Sequence, residues 1–377
     1  MSLDSGRPPI TSMAPHCTGT VSRALTGTVS KALAGTLTTV LVVLMAAGCH
    51  SSTPLAPTSQ AATTRPPTGT SSKVVLPPAT GDYADAIKIA VRHGLQVWLE
   101  SDLVKRWQAG PGSFESALRQ LGSLAAIPGV RGIKIADEMG YHDGLSSAAR
   151  IKAFLNAAYD GLQRYAPGRP LLVDMIVPSL GCLPDQQPPL LWSTECQVKA
   201  DGQYPQLTLA SVTSYLRMRR LSVLDVSTGL LPDSSYIGWG ATRDIAQTKA
   251  WAKLKALGWA SLVTLHARKA LAHPGDYAKS ESEAQADLHT WVDLPLSDGA
   301  QAIDVWTWRQ GYQGAVNRLL DPGLKPNALW TGLQARRAAG ATLFTHLSPH
   351  SLEVSLDADL AMLAKVFSAV FVAAGTG

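Results

Sequence analysis

The chain has 377 residues, 46 % of them hydrophobic, and carries 33 Lys and Arg against 28 Asp and Glu, a formal net charge of +5. That length and apolar content suit one barrel of about 250 residues with extensions and exclude a chain disordered throughout. The charge excess is small and no basic run is interleaved with aromatics, which excludes nucleic acid as a partner.

Residues 1–48 read as a leader: an apolar segment follows Lys31 and ends Met45-Ala46-Ala47-Gly48-Cys49, the form of an export signal with small residues before the cut. A cysteine directly after Ala-Ala-Gly resembles a lipoprotein box. That resemblance implies lipidation of Cys49 and a mature chain held by its lipid anchor on the outer face of the cell membrane; ordinary signal cleavage, which gives a secreted chain, and an uncleaved anchor are the alternatives. Residues 49–72, rich in Ser, Thr, Pro and Ala, cannot bury enough apolar area to fold and predict a tether. Residues 73–377 predict a single domain acting as a monomer. In an exported chain, Cys182 and Cys196 predict a disulfide, and they lack the further His or Cys ligands that a tetrahedral zinc site needs. Neither a metal nor a cofactor is expected, since no Gly-rich phosphate loop follows the first strand.

From residue 74 onward, strand and helix patterns alternate. Strands are predicted over 74–76, 95–100, 132–138, 170–177, 221–227, 260–268, 301–308 and 342–348, with helices over 83–92, 114–126, 146–165, 207–219, 243–257, 281–292, 327–339 and 352–372. Strand–helix units repeating at about 35 residues predict a closed (β/α)8 TIM barrel rather than an open doubly wound sheet.

A barrel strand that only packs reads as continuous Val, Ile and Leu. These strands instead carry a polar residue at every second position. Alternation puts Trp98, Glu100, Lys134, Glu138, Asp174, Asp225, His266, Arg268, Asp304, Trp306, Trp308 and His346 on the lumen side. In a (β/α)8 barrel the working residues stand at the carboxyl ends of several strands. Glu138 is the sharpest candidate, a carboxyl among apolar walls just where its loop begins. Asp225 and Asp304 are the candidate partner carboxylates. Glu100, Trp98, Asp174, His266, Arg268, Trp306, Trp308 and His346 are candidate substrate contacts, and Asp174 and Asp304 also read as ion-pair partners of Lys134.

An export signal, a lumen glutamate at a strand end, several aspartates and tryptophans near the mouth together resemble the barrel glycoside hydrolases. The resemblance implies an extracellular poly- or oligosaccharide substrate, the acid role for Glu138, and a second carboxylate that acts as nucleophile or activates water. In the largest clan of those enzymes an Asn-Glu pair ends strand 4 and a nucleophilic Glu ends strand 7; this chain has Ala136-Asp137-Glu138 on the third predicted strand and Trp306-Thr307-Trp308 on the seventh. Three other readings stay open. One is a carbohydrate-binding barrel without catalysis, and another is a metal-dependent hydrolase with ligands from His266, His346, Asp304 and Glu138. The third is a lyase with Lys134 as Schiff-base amine.

Overall fold

A computed structural model of the chain describes residues 75–183 and 190–374. The leader, Cys49 and the tether expected over 49–72 lie outside the described residues. Eight parallel strands close into a barrel in chain order: β1 (Gln96–Glu100), β2 (Val130–Ala136), β3 (Leu171–Ile176), β4 (Val223–Ser227), β5 (Thr264–Ala270), β6 (Ala302–Trp306), β7 (Leu343–Leu347) and β8 (Ala369–Ala373). The (β/α)8 architecture read from the sequence is the one observed.

One strand is assigned differently. Val75 and Leu76 carry no strand, and the barrel closes through β8, whose Phe371 pairs with Trp98 and Ala373 with Glu100 of β1. The sequence reading placed those residues in a helix over 352–372, but the helix there is only Leu356–Leu363. The physical reason is burial on both faces. Ala-Val-Phe-Val-Ala has no polar side to alternate with, and a short apolar run does not distinguish strand from helix.

The other helices follow the expected faces. Asp82–Arg92, Pro111–Ala125, Ala148–Tyr165, Leu209–Leu216, Arg243–Ala256, Glu281–Leu288 and Ala328–Ala338 pack apolar stripes on the outside of the barrel. Side-chain caps start several of them, Ser147 accepting from the Arg150 N–H and Thr242 from the Ile245 N–H. Two features were not expected. The connection after β3 contains a helix, Leu191–Gln203, stapled to the turn Pro178–Cys182 by the Cys182–Cys196 disulfide with Cα atoms 5.6 Å apart. The loop after β6 folds into an antiparallel hairpin, Arg309–Tyr312 with Ala315–Arg318, against which His273–Pro274 adds a short edge.

The floor of the lumen is apolar. Trp98, Leu172, Val223, Ala302, Phe344, Ala369 and Phe371 form one buried cluster, with the Trp98 ring 6.4 Å from both Phe344 and Phe371. Gly132 makes this possible, because a Cβ at that position would stand 2.3 Å from the Trp98 ring. Gly132→Ala is therefore expected to overpack the floor and cost about 1–3 kcal/mol, read as a lowered urea midpoint. An unchanged midpoint would mean that Trp98 can move aside freely.

Candidate active site

Above this floor the polar side chains form a connected ion network. Lys134 of β2 is its centre: the side chain is fully buried, and Nζ lies 3.0 Å from Glu100, 2.9 Å from Asp137 and 2.8 Å from Asp174. Burial alone would lower its pKa, but Asp137, Asp174 and Glu100 outweigh it and hold the amine well above its usual value. A lysine so held is an ammonium ion at any physiological pH. The Schiff-base role considered for Lys134 is thereby closed, and its alternative, an ion pair with Asp174, is what the chain forms.

His346 of β7 stands between two carboxylates, Nδ1 at 2.9 Å from Glu100 and Nε2 at 2.7 Å from Asp304 of β6. Carboxylates only accept hydrogen bonds, so an imidazole bonded to both carries protons on both nitrogens. Burial opposes that charge, but Asp304 and Glu100 prevail and raise its pKa from 6.5 to about 9. On the opposite wall, Asp225 of β4 is fully buried with His266 Nδ1 2.9 Å from its Oδ1. Burial pushes the Asp225 carboxyl up, with His266 partly offsetting it.

At the mouth the chain departs from the strand pattern. β2 ends at Ala136, and Glu138 takes a left-handed backbone with φ at +47°. Such a conformation costs a non-glycine residue on the order of 1 kcal/mol and persists only where surrounding contacts hold it. Here the Glu138 N–H donates to Asp174 Oδ1 at 2.6 Å, and the Tyr141 N–H donates to the Glu138 carbonyl at 2.9 Å. The turn aims two consecutive carboxyls at Arg268 of β5. Its Nη1 is 3.2 Å from Glu138, Nη2 3.1 Å from Asp137, and Nε 3.2 Å from Asp174. Glu138 and Asp137 are the open members of the network, with side chains 36 % and 53 % exposed.

Asp137 and Asp174 are pushed in opposite directions. Burial pushes Asp137 up, but Lys134, Arg268 and a hydrogen bond with Asp174 hold it well below the carboxylate range. Asp174 is pushed well above that range by burial and by the Asp137 charge, against the pull of Arg268 and Lys134. Asp137 is the residue that sequence reasoning missed. Strict alternation from Lys134 turns it outward, and only the early end of β2 brings it inward.

The structure thus gathers Glu100, Glu138, Asp174, Arg268, Asp304 and His346 into one network, with Asp225 and His266 paired on the β4–β5 side. The tryptophans separate. Trp98 is part of the packed floor. Trp306 is half-buried at the mouth with Tyr312 edge-on at 5.8 Å. Trp308, expected in the lumen, lies beyond the end of β6 and packs outside the barrel instead, its ring 5.9 Å from Trp330 and its Nε1 donating to Asp359 at 2.9 Å. An unexpected aromatic pair, Tyr141 stacked on Tyr204 at 4.7 Å, stands beside the Glu138 turn.

No protein-family model and no curated protein matches the chain. Among solved structures it is similar to a variant of the carboxyl transferase domain of Rhizobium etli pyruvate carboxylase with pyruvate, at 12 % identity over 79 % of this chain and 46 % of that one, with TM-score 0.37. It is similar to a candidate phosphonomutase of Burkholderia cenocepacia at 14 % identity over 78 % of this chain and 92 % of that one, with TM-score 0.36. A probable tagatose 6 phosphate kinase of Sinorhizobium meliloti matches at 14 % identity over 74 % of this chain and 64 % of that one, with TM-score 0.40. This chain spans less than half the length of the pyruvate carboxylase chain first compared.

None of these three is a glycoside hydrolase, and none of them supports the glycoside hydrolase expected from the sequence. The chain's own geometry agrees. Asp225, the expected partner of Glu138, has no exposed surface at which a glycosidic bond could meet it, and Asp304 is equally buried. The metal-dependent alternative loses its ligand set, since among the described residues no group of three or more His, Cys, Asp and Glu could hold a metal ion.

Proposed function

We propose that this chain is a barrel enzyme that moves a proton on a small polar substrate, with Glu138 as the base and the proton held by Asp137 and Asp174 as the acid. The observation that supports it most is the Asp137-Glu138 turn. Two consecutive, partly open carboxyls share one guanidinium above a sealed network, and one of them is held in a backbone conformation that glutamate otherwise avoids. Glu138 takes a proton from a carbon beside a carbonyl, and the Asp137–Asp174 pair returns one to the product. Lys134, Arg268 and His346 hold the carboxyls in place and keep their charges apart.

The charge balance bears on the substrate class. Six carboxyls, those of Glu100, Asp137, Glu138, Asp174, Asp225 and Asp304, face three cations, Lys134, Arg268 and His346, each already paired with at least two of them. Such a site disfavours phosphates and carboxylates and suits neutral or cationic substrates. The leader expected over residues 1–48, together with the disulfide, supports a location outside the cytoplasm, where disulfides persist. Cys49 would be the anchor there.

The test is solvent exchange. The full chain is incubated in D2O with a panel of neutral and amine-bearing carbonyl compounds, and loss of carbon-bound protons is followed by NMR. At least one compound is expected to exchange, with the rate falling about a hundredfold in Glu138→Gln. Exchange at the wild-type rate in that variant, or in no compound at all, would refute the proposal.

A further inference from the structure

One lysine at the barrel mouth makes no ion pair among the described residues. Lys269 follows Arg268 on β5, and alternation turns it out of the lumen toward the helical segment after that strand, where its Nζ lies 3.9 Å from the centroid of the Trp291 ring. Trp291 belongs to the wide turn His289–Asp293 and is nearly buried. Arg243, the first residue of the helix Arg243–Ala256, sets its guanidinium carbon 5.7 Å from the centroid of the same ring. Two cations thus share one indole.

Neither cation is saturated. Arg243 reaches Asp233 through Nη2 at 2.8 Å, but its Nε is buried and makes no hydrogen bond. Lys269 makes no ion pair among the described residues, whereas its neighbour Lys279 is paired with Asp287. A guanidinium with one partnerless N–H and an unmatched amine face the same indole, and two such unneutralised groups together attract a small anion. The amine adds a second capability. Burial, with Arg243, Lys279 and Arg268 nearby and Asp287 opposing them, brings Lys269 down to about 8, so near neutral pH part of it is the free amine.

We propose that Lys269 is a covalent capture site for small aldehydes and ketones that carry a carboxylate. The carboxylate lies against Arg243 while the Lys269 nitrogen attacks the carbonyl carbon. A C–N bond forms, the carbonyl oxygen leaves as water with the two protons of the amine, and a neutral imine remains on Nζ. Lys134, the lysine that sequence alone singles out for this chemistry, is disabled by its three carboxylates. The proposal does not depend on the proton-transfer reading, since its residues lie outside the lumen.

The experiment uses the full chain, glyoxylate as the probe and cyanoborohydride to reduce the imine, at pH 7.5, with peptide mass spectrometry as the readout. Lys269 is expected to label about tenfold faster than the exposed Lys88. Acetaldehyde, which lacks the carboxylate, serves as the neutral comparison. Arg243→Met should lower the ratio of glyoxylate to acetaldehyde labelling at Lys269, and Lys269→Arg should remove the labelled peptide while the melting curve stays that of a folded chain. Labelling of Lys269 no faster than Lys88 overturns the proposal, as does an unchanged ratio in a folded Arg243→Met variant.

Discussion

Lys134→Met is expected to destabilise the chain by about 3–5 kcal/mol, measured as the change in urea unfolding free energy at pH 7. Methionine matches the lysine side chain as far as Cε and packs against the same floor, so the substitution removes the ammonium group and little else. The Nζ it removes lies within 3.0 Å of three carboxyls, and of those Asp174 has no exposure to water. Without the ammonium, Glu100, Asp137 and Asp174 face one another in a buried space with only Arg268 and His346 to offset them. The deficit should therefore shrink as the pH is lowered toward 4, because the orphaned carboxyls can take up protons. Adding Asp174→Asn to Lys134→Met should recover part of the loss at neutral pH. If the single variant unfolds at the wild-type urea concentration, the network is not held by Lys134.

Stability should also fall on the alkaline side of neutrality, and the cause is His346. Its pKa in the folded chain is about 9 against an ordinary 6.5. A group whose folded pKa is raised contributes stability that is complete below the ordinary value and lost as pH rises through the folded one. The shift corresponds to about 3 kcal/mol, of which about half is gone by pH 8. Lys269 acts in the opposite sense. Its folded pKa, lowered to about 8, makes the folded state hold fewer protons than the unfolded one above that pH, which adds stability as pH rises toward the ordinary lysine range. The clean window is accordingly pH 6.5 to 8. Glu100 and Asp304, both lowered chiefly by His346 against the upward push of burial, act at the acid end, where their contribution is lost as pH falls through their folded values. In His346→Gln the decline between pH 6.5 and 8 should disappear. Parallel slopes for wild type and variant would show that His346 is not the group responsible.

Where the sequence reading departs from the structure, burial on both faces or an early strand end is responsible. β1 to β7 alternate a helix-facing apolar residue with a lumen residue, so each is legible on its own, and with them Glu100, Asp174, Asp225, His266, Arg268, Asp304 and His346. β8 is apolar on both sides and lacks any such mark. Trp308 was placed in the lumen by extending alternation past Trp306, where β6 has already stopped. Asp137 was placed outside by extending alternation past Ala136, where β2 has stopped. A period of two is a property of extended backbone and ends with it.

The sequence by itself determined the alternating strand–helix order, the closed barrel that order implies, and the polar residues lining the lumen other than Asp137, because side-chain periodicity and helix caps are local properties of the chain. Only the tertiary structure decided what those residues are. Whether a lysine is a locked ammonium or a reactive amine depends on which groups other strands bring within about 4 Å of it. Lys134 meets three carboxylates from β1, β3 and its own loop, and Lys269 meets an indole and an arginine. Partners within the carboxyl network stand 3 to 246 residues apart along the chain, and no local pattern records them.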